Sequence, residues 1–225
     1  MLDRCAAVCY IKTRARERNV QGVFCSLAFL QCLKGGCGLL KIKELLMDAP
    51  IIAAVKDGAG LQKALESDCK VIFLLYGTIL NIDTLVRQVQ SCGKLCVVHI
   101  DLVDGLSNRD IAVDGLVKLC NPDGIISTRV PQIRRAQQLG ILAIQRTFML
   151  DSISLQNLLT QIESHRPDFI EVLPGIIPGV IREITEKTTI PLIAGGLIRS
   201  KQDVIQALQA GVIAVSTTCR DVWQM

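Results

Sequence analysis

Apolar runs rich in Ile, Val and Leu return again and again along this chain: Ile51 to Val55, Val71 to Leu75, Leu95 to Val98, Gly124 to Ile126, Ile141 to Ile144, Phe169 to Leu173, Leu192 to Ala194 and Val212 to Val215. They are nearly continuous rather than alternating, as strands buried on both faces of a parallel sheet are. Between them the apolar positions fall at helical spacing: Leu61, Ala64 and Leu65; Ile82, Leu85, Val86 and Val89; Ile111, Leu116 and Leu119; Ile153, Leu155, Leu158, Leu159 and Ile162; Val180, Ile181 and Ile184. Strand and helix patterns alternating in this way predict an α/β fold, a compact (β/α)8 TIM-type barrel with short loops. A doubly wound open sheet is the alternative, but no glycine fingerprint follows the first strand to favour it.

The boundaries carry their own signals. Asn81 is a candidate N-cap, Gly93 and Gly140 follow helices, and Pro178 stands near a helix start. Ser200 with Asp203 predicts a capping box, and Gly211 supplies a residue able to stop that helix in the left-handed region. Upstream, LKIKELLMDAPII reads as a short helix leading into the first strand.

Charge and cysteine usage set the first 40 residues apart. Arg4, Lys12, Arg14, Arg16, Arg18 and Lys34 against Asp3 and Glu17 account for the whole formal charge of +4, leaving the rest of the chain neutral. A neutral body offers no broad electrostatic footprint for nucleic acid. Half of the ten cysteines (Cys5, Cys9, Cys25, Cys32 and Cys37) lie in the same segment, and none of the ten forms a CxxC pair. The others lack metal-ligand spacing, so reduced, packed thiols and a cytoplasmic location are expected, with no metal site. No apolar run reaches the roughly 18 residues of a membrane span. Residues 1–39 are therefore expected to be an extension outside the folded domain, as a start codon assigned too early would produce. Residues 40–225 are expected to form the barrel.

In a barrel, function gathers where the strands end. The residues at those ends are Lys56 and Asp57; Tyr76; His99, Asp101 and Asp104; Ser127, Thr128 and Arg129; Gln145 and Arg146; Glu171, Pro174 and Gly175; Gly195, Gly196 and Arg199; Ser216, Thr217 and Thr218. The last two groups follow strands 7 and 8, where glycines and hydroxyls bring backbone N–H groups close to an anion. Gly195, Gly196, Ser216, Thr217 and Thr218 are accordingly the expected phosphate cup. Glu171 lies inside a strand; pointing inward, it is a buried carboxylate that needs a partner such as Lys56 or Arg146. His99 fits equally a hydrogen-bonded core residue and a ligand contact.

The segments PIIAAVKD, VIFLLYGTI, HIDLVDGL, GIISTR, AIQRTFMLD, DFIEVLPGIIP, IPLIAGGLI and AVSTTCRDVW together resemble the bacterial glycerol uptake operon antiterminator regulatory proteins, from about residue 41 to the C-terminus. The resemblance implies a sensor rather than an enzyme: a barrel without cofactor or catalytic residues that binds glycerol 3-phosphate and acts on leader mRNA. It implies that the phosphate lies at Gly195, Gly196, Ser216, Thr217 and Thr218. The glycerol end then meets groups such as Lys56, His99, Asp101, Glu171 and Gly175, with Arg129 and Arg146 adding charge-assisted bonds to the dianion.

The competing expectation is a small barrel enzyme acting on a phosphorylated polyol or sugar, with Lys56, His99 or a carboxylate as its reactive group. Outside the mouth, Arg134, Arg135, Arg182, Lys187 and Lys201 are candidate RNA phosphate contacts. Aromatic residues for base stacking are few, at 4% of the chain. A homo-oligomer would be one way to assemble a basic surface that one subunit lacks.

Overall fold

The structure, a computed structural model, describes residues 36–225. The extension expected over residues 1–39, with its basic run and four of its five cysteines, falls almost wholly outside them. Helix α1 (Gly36–Asp48) precedes strand β1 (Ile51–Val55). There follow α2 (Gly58–Glu66), β2 (Val71–Leu74), α3 (Ile82–Ser91), β3 (Leu95–His99), α4 (Ile111–Cys120), β4 (Gly124–Ser127) and α5 (Val130–Gln138). The second half comprises β5 (Leu142–Phe148), α6 (Ser152–His165), β6 (Phe169–Leu173), α7 (Pro178–Lys187), β7 (Leu192–Gly195), α8 (Lys201–Gln209) and β8 (Ala214–Thr217). All eight strands are parallel, and β1 pairs with β8 to close the barrel.

Period-two alternation divides each strand between two cores. Val55, Ile72, Val98 and Ile125 pack outward with α2 to α5, and Ile170, Val172, Ala194 and Val215 pack outward with α6 to α8. The intervening residues Ile52, Phe73, Val97, Ile126, Ile144, Phe169 and Ile193 are equally buried and fill the barrel interior. Each such side chain withdrawn from water contributes about 1.5–3 kcal/mol.

The N-terminal end of the barrel is clasped by polar side chains. Asp123 accepts from the Cys96 N–H at 2.8 Å, and Asp168 from the Ala143 N–H at 2.9 Å. Buried Lys94 donates to the carbonyls of Ser67 and Cys69. Helix α1 buries Ile42 and Leu46 and brings the Lys43 charge near Asp168, whose carboxyl is pushed up by burial against that attraction.

Most boundary signals act as expected. Ser200 and Asp203 form a reciprocal capping box, Pro178 opens α7, and Gly93, Gly140 and Gly211 take positive φ after their helices. Asn81 occupies the N-cap of α3 but does not cap it; its Oδ1 accepts instead from the Thr78 N–H at 2.8 Å. The strand ends differ by a few residues from the apolar runs, because polar residues here are held in the ladder by their neighbours. Thus β5 continues through Gln145 and Arg146, and β8 takes in Ser216 and Thr217.

Candidate functional site

Extension of the strands through their polar ends sorts the mouth residues by parity. On β5, Arg146 points into the barrel, whereas Gln145 points outward and hydrogen-bonds Gln161 and His165 of α6. On β4, Ser127 turns outward to Gln132 of α5. On β8, Ser216 faces inward, and the Thr217 hydroxyl donates to the Ile198 carbonyl at 2.7 Å.

The inward residues of β5, β6 and β8 meet in one network. Glu171, fully buried, accepts from Arg146 Nε at 2.6 Å and from Ser216 Oγ at 2.5 Å. The expected partner of this carboxylate is therefore resolved in favour of Arg146. A carboxylate removed from water requires this pairing, since an isolated charge there costs several kcal/mol. Gly195 explains how the three fit: a Cβ on it would lie 2.7 Å from Glu171 Oε1 and 2.8 Å from Ser216 Oγ. Gly175 is equally constrained, because its Cβ would lie 3.0 Å from the Gly195 nitrogen, and its own N–H donates to the Gly196 carbonyl.

Above this network lies a cavity of about 400 Å³ lined by Arg146, Glu171, Gly196, Arg199, Ser216, Thr217, Thr218 and Cys219, with Ala54, Leu75, Leu173, Leu197 and Ile198 as its apolar wall. The loops after β7 and β8 thus share one space with the Arg146 guanidinium. Gly196 adopts φ +75° and Leu197 φ +61°, which turns the loop after β7 around the cavity edge. Among the described residues the N–H groups of Gly196 and Thr218 have no acceptor, nor do those of Leu197 and Ile198 beside them, so the loops after β7 and β8 carry donors open to an anion. The hydroxyls of Ser216 and Thr217 already donate within the protein. The polar groups left on the cavity wall are these backbone N–H groups, the Thr218 hydroxyl, the exposed Arg199 and the Arg146 guanidinium that is paired with Glu171.

The remaining candidates surround this cavity without lining it. Lys56 is exposed just past β1 and has no ion-pair partner among the described residues. Asp101 accepts from Ser127 Oγ, the Thr128 N–H and Thr128 Oγ1, each at 2.8 Å, and lies 3.8 Å from exposed Arg129. Burial pushes its carboxyl up, but those hydrogen bonds and the charge of His99 outweigh burial and hold it below the ordinary value. His99 is 3% exposed, and its Nδ1 has no partner. Burial first, then the Arg146 charge, push its pKa down to about 4, so the imidazole is neutral near pH 7. Tyr76, the other residue with an orphaned buried polar atom among those described, packs against the outer core.

Of the helix cations, Arg135 is engaged by Asp114 and Lys187 by Glu183 at 2.7 Å. Sequence reasoning did not select Leu75, Leu197 or Cys219, because a search for polar groups at strand ends passes over apolar wall residues. Among the described residues, no group of three or more His, Cys, Asp or Glu is placed to hold a metal, and no helix is long and apolar enough to cross a membrane.

The sequence profile of the glycerol-3-phosphate responsive antiterminators matches residues 51–223, every strand included. The chain belongs to this family. A crystal structure of the glycerol uptake operon antiterminator regulatory protein of Listeria monocytogenes str. 4b F2365 is 42% identical, with TM-score 0.75, over 77% of this chain and 94% of that one. An antiterminator-related protein of Thermotoga maritima MSB8 is 34% identical, with TM-score 0.70, over 78% and 98%. An Escherichia coli K12 protein, YgcP, described as uncharacterized, is 42% identical over 83% of this chain and 97% of its own length. The likeness to orotidine 5'-phosphate decarboxylase of Pyrococcus horikoshii OT3, at 18% identity and TM-score 0.58, reflects the barrel alone. The antiterminator family is regulatory, and its described response is to glycerol 3-phosphate.

Proposed function

We propose that this chain is a glycerol-3-phosphate sensor which, when liganded, binds leader mRNA and prevents premature termination of transcripts for glycerol uptake and metabolism. Its place of action is the cytoplasm, where transcripts are made. The observation that carries the reading is the single cavity joining the loops after β7 and β8 to Arg146 and Glu171: donors for a phosphate lie beside acceptors for hydroxyls. The phosphoryl group sits against Gly196, Thr218 and Arg146, with Ser216 and Thr217 shaping the cup and Gly195, which does not line the cavity, leaving room for Glu171 and Ser216 beneath it. The glycerol end faces Glu171 and Ser216, with His99 beneath, and Lys56, Asp101, Arg129 and Gly175 form the surrounding shell. Such a site can serve binding without turnover, and Lys56, the candidate imine-forming amine, stands outside the cavity.

The ligand alters RNA affinity only if it binds the RNA-competent form more tightly than the other. A leader transcript immobilised on beads should therefore retain the protein with glycerol 3-phosphate present and release it when the ligand is removed. Gly196→Trp should lose ligand-dependent retention while remaining folded. Retention independent of the ligand would overturn the sensor reading, and consumption of glycerol 3-phosphate by the protein would favour the barrel-enzyme reading instead.

A further inference from the structure

The polar floor of the cavity has a defined hydrogen-bond polarity, and resting on the reading above, it sets which phosphorylated polyols enter. Glu171 is ion-paired with Arg146, and a carboxylate only accepts. A serine hydroxyl has one proton, and Ser216 gives its proton to Glu171 Oε1 at 2.5 Å. What Ser216 offers the cavity is therefore oxygen lone pairs. Gly195 makes the arrangement possible, since any side chain there would displace the Glu171 and Ser216 oxygens.

We propose that Glu171, acting through Ser216, is a specificity-determining positioning residue: it makes the site select a phosphoester whose neighbouring carbon bears a hydroxyl over one bearing a carbonyl. Thr218 follows Ser216 by two residues just past the end of β8, a span of at most about 7 Å, and both line the cavity. A phosphate held at Gly196 and Thr218 thus places the next carbon's oxygen within reach of Ser216. A hydroxyl there donates to Ser216, whereas a carbonyl sets lone pair against lone pair. The two ligands are almost equal in size, differing by two hydrogens, so hydrogen-bond polarity is the difference that Ser216 reads. The sensor then responds to the reduced three-carbon phosphoester and ignores its oxidised ketone.

Calorimetric titration of the full chain with glycerol 3-phosphate and with dihydroxyacetone phosphate tests this directly. The reduced ligand should bind at least about tenfold more tightly, the scale of one mispaired buried hydrogen bond. In Glu171→Gln the amide donates to Ser216 and frees the serine proton toward the cavity, so the ratio should fall toward one. Ser216→Ala, a smaller change to the fold, should weaken glycerol 3-phosphate and, by removing the opposing lone pair, strengthen the ketone, so that the ratio again falls toward one. Equal affinity of the wild-type protein for the two ligands would overturn the inference alone. Absence of glycerol 3-phosphate binding would remove both the inference and the functional reading beneath it.

Discussion

Gly195→Ala probes the centre of the site with one methyl group. Its Cβ would stand 2.7 Å from Glu171 Oε1, 2.8 Å from Ser216 Oγ and 3.2 Å from Glu171 Cδ. None of these atoms is the free end of a flexible chain, because Arg146 and Ser216 hold the carboxylate from both sides. Overpacking of this kind costs about 1–3 kcal/mol. If the carboxylate swings aside, a charge-assisted bond worth about 1.5–3 kcal/mol is lost as well. With both contributions the expected destabilisation is about 2.5–6 kcal/mol, a large share of the ~5–15 kcal/mol typical of a domain. Urea unfolding followed by circular dichroism should show a lower midpoint with an unchanged slope. Gly58→Ala serves as the control, since a Cβ there meets nothing within 4 Å, and it should stay within about 0.5 kcal/mol of wild type. A Gly195→Ala protein as stable as that control, with intact ligand binding, would refute the packing account of the cup.

Further outcomes are expected. Arg146→Met strands the Glu171 carboxylate and should cost about 3–5 kcal/mol, whereas the double variant with Glu171→Leu should regain most of that stability and still bind no phosphoester; thermal melts and calorimetry distinguish the two effects. His99 has a folded pKa of about 4 against the ordinary 6.5, so the unfolded chain binds more protons between these values. Its contribution, about 3 kcal/mol, is present above pH 6.5 and lost as pH falls toward 4; His99→Leu should flatten that slope in urea melts at pH 7, 5.5 and 4.5. Ser200→Ala removes the capping box of α8 and should cost about 1 kcal/mol with little change in ligand affinity, measured on the same instruments.

The fold was legible because eight doubly buried strands leave continuous apolar runs, and because caps such as Ser200 and Asp203 act locally. The glycine pair after β7 was legible too, and the structure uses its two members differently: Gly195 leaves room for Glu171 and Ser216, and Gly196 takes φ +75°. What was hidden is the parity of each strand end. Whether Ser127, Gln145 and Thr217 face the mouth or the helices depends on how far each strand continues, and the polar residues that extend it look like loop residues in the sequence. The choice of Arg146 over Lys56 as the partner of Glu171 depends in turn on the register of β5 against β6, which pairs Arg146 directly with Glu171. The commitment of the Ser216 and Thr217 protons is likewise a three-dimensional fact, since their acceptors lie 45 and 19 residues away.

Calorimetric titration of glycerol 3-phosphate into the protein, with glycerol and inorganic phosphate as controls and the ligand recovered for product analysis, is the most direct test of a sensor barrel. Stoichiometric binding of the phosphoester well above either control, with the ligand recovered unchanged, is the expected result. A folded protein that fails to bind it, or that converts it, would contradict the account.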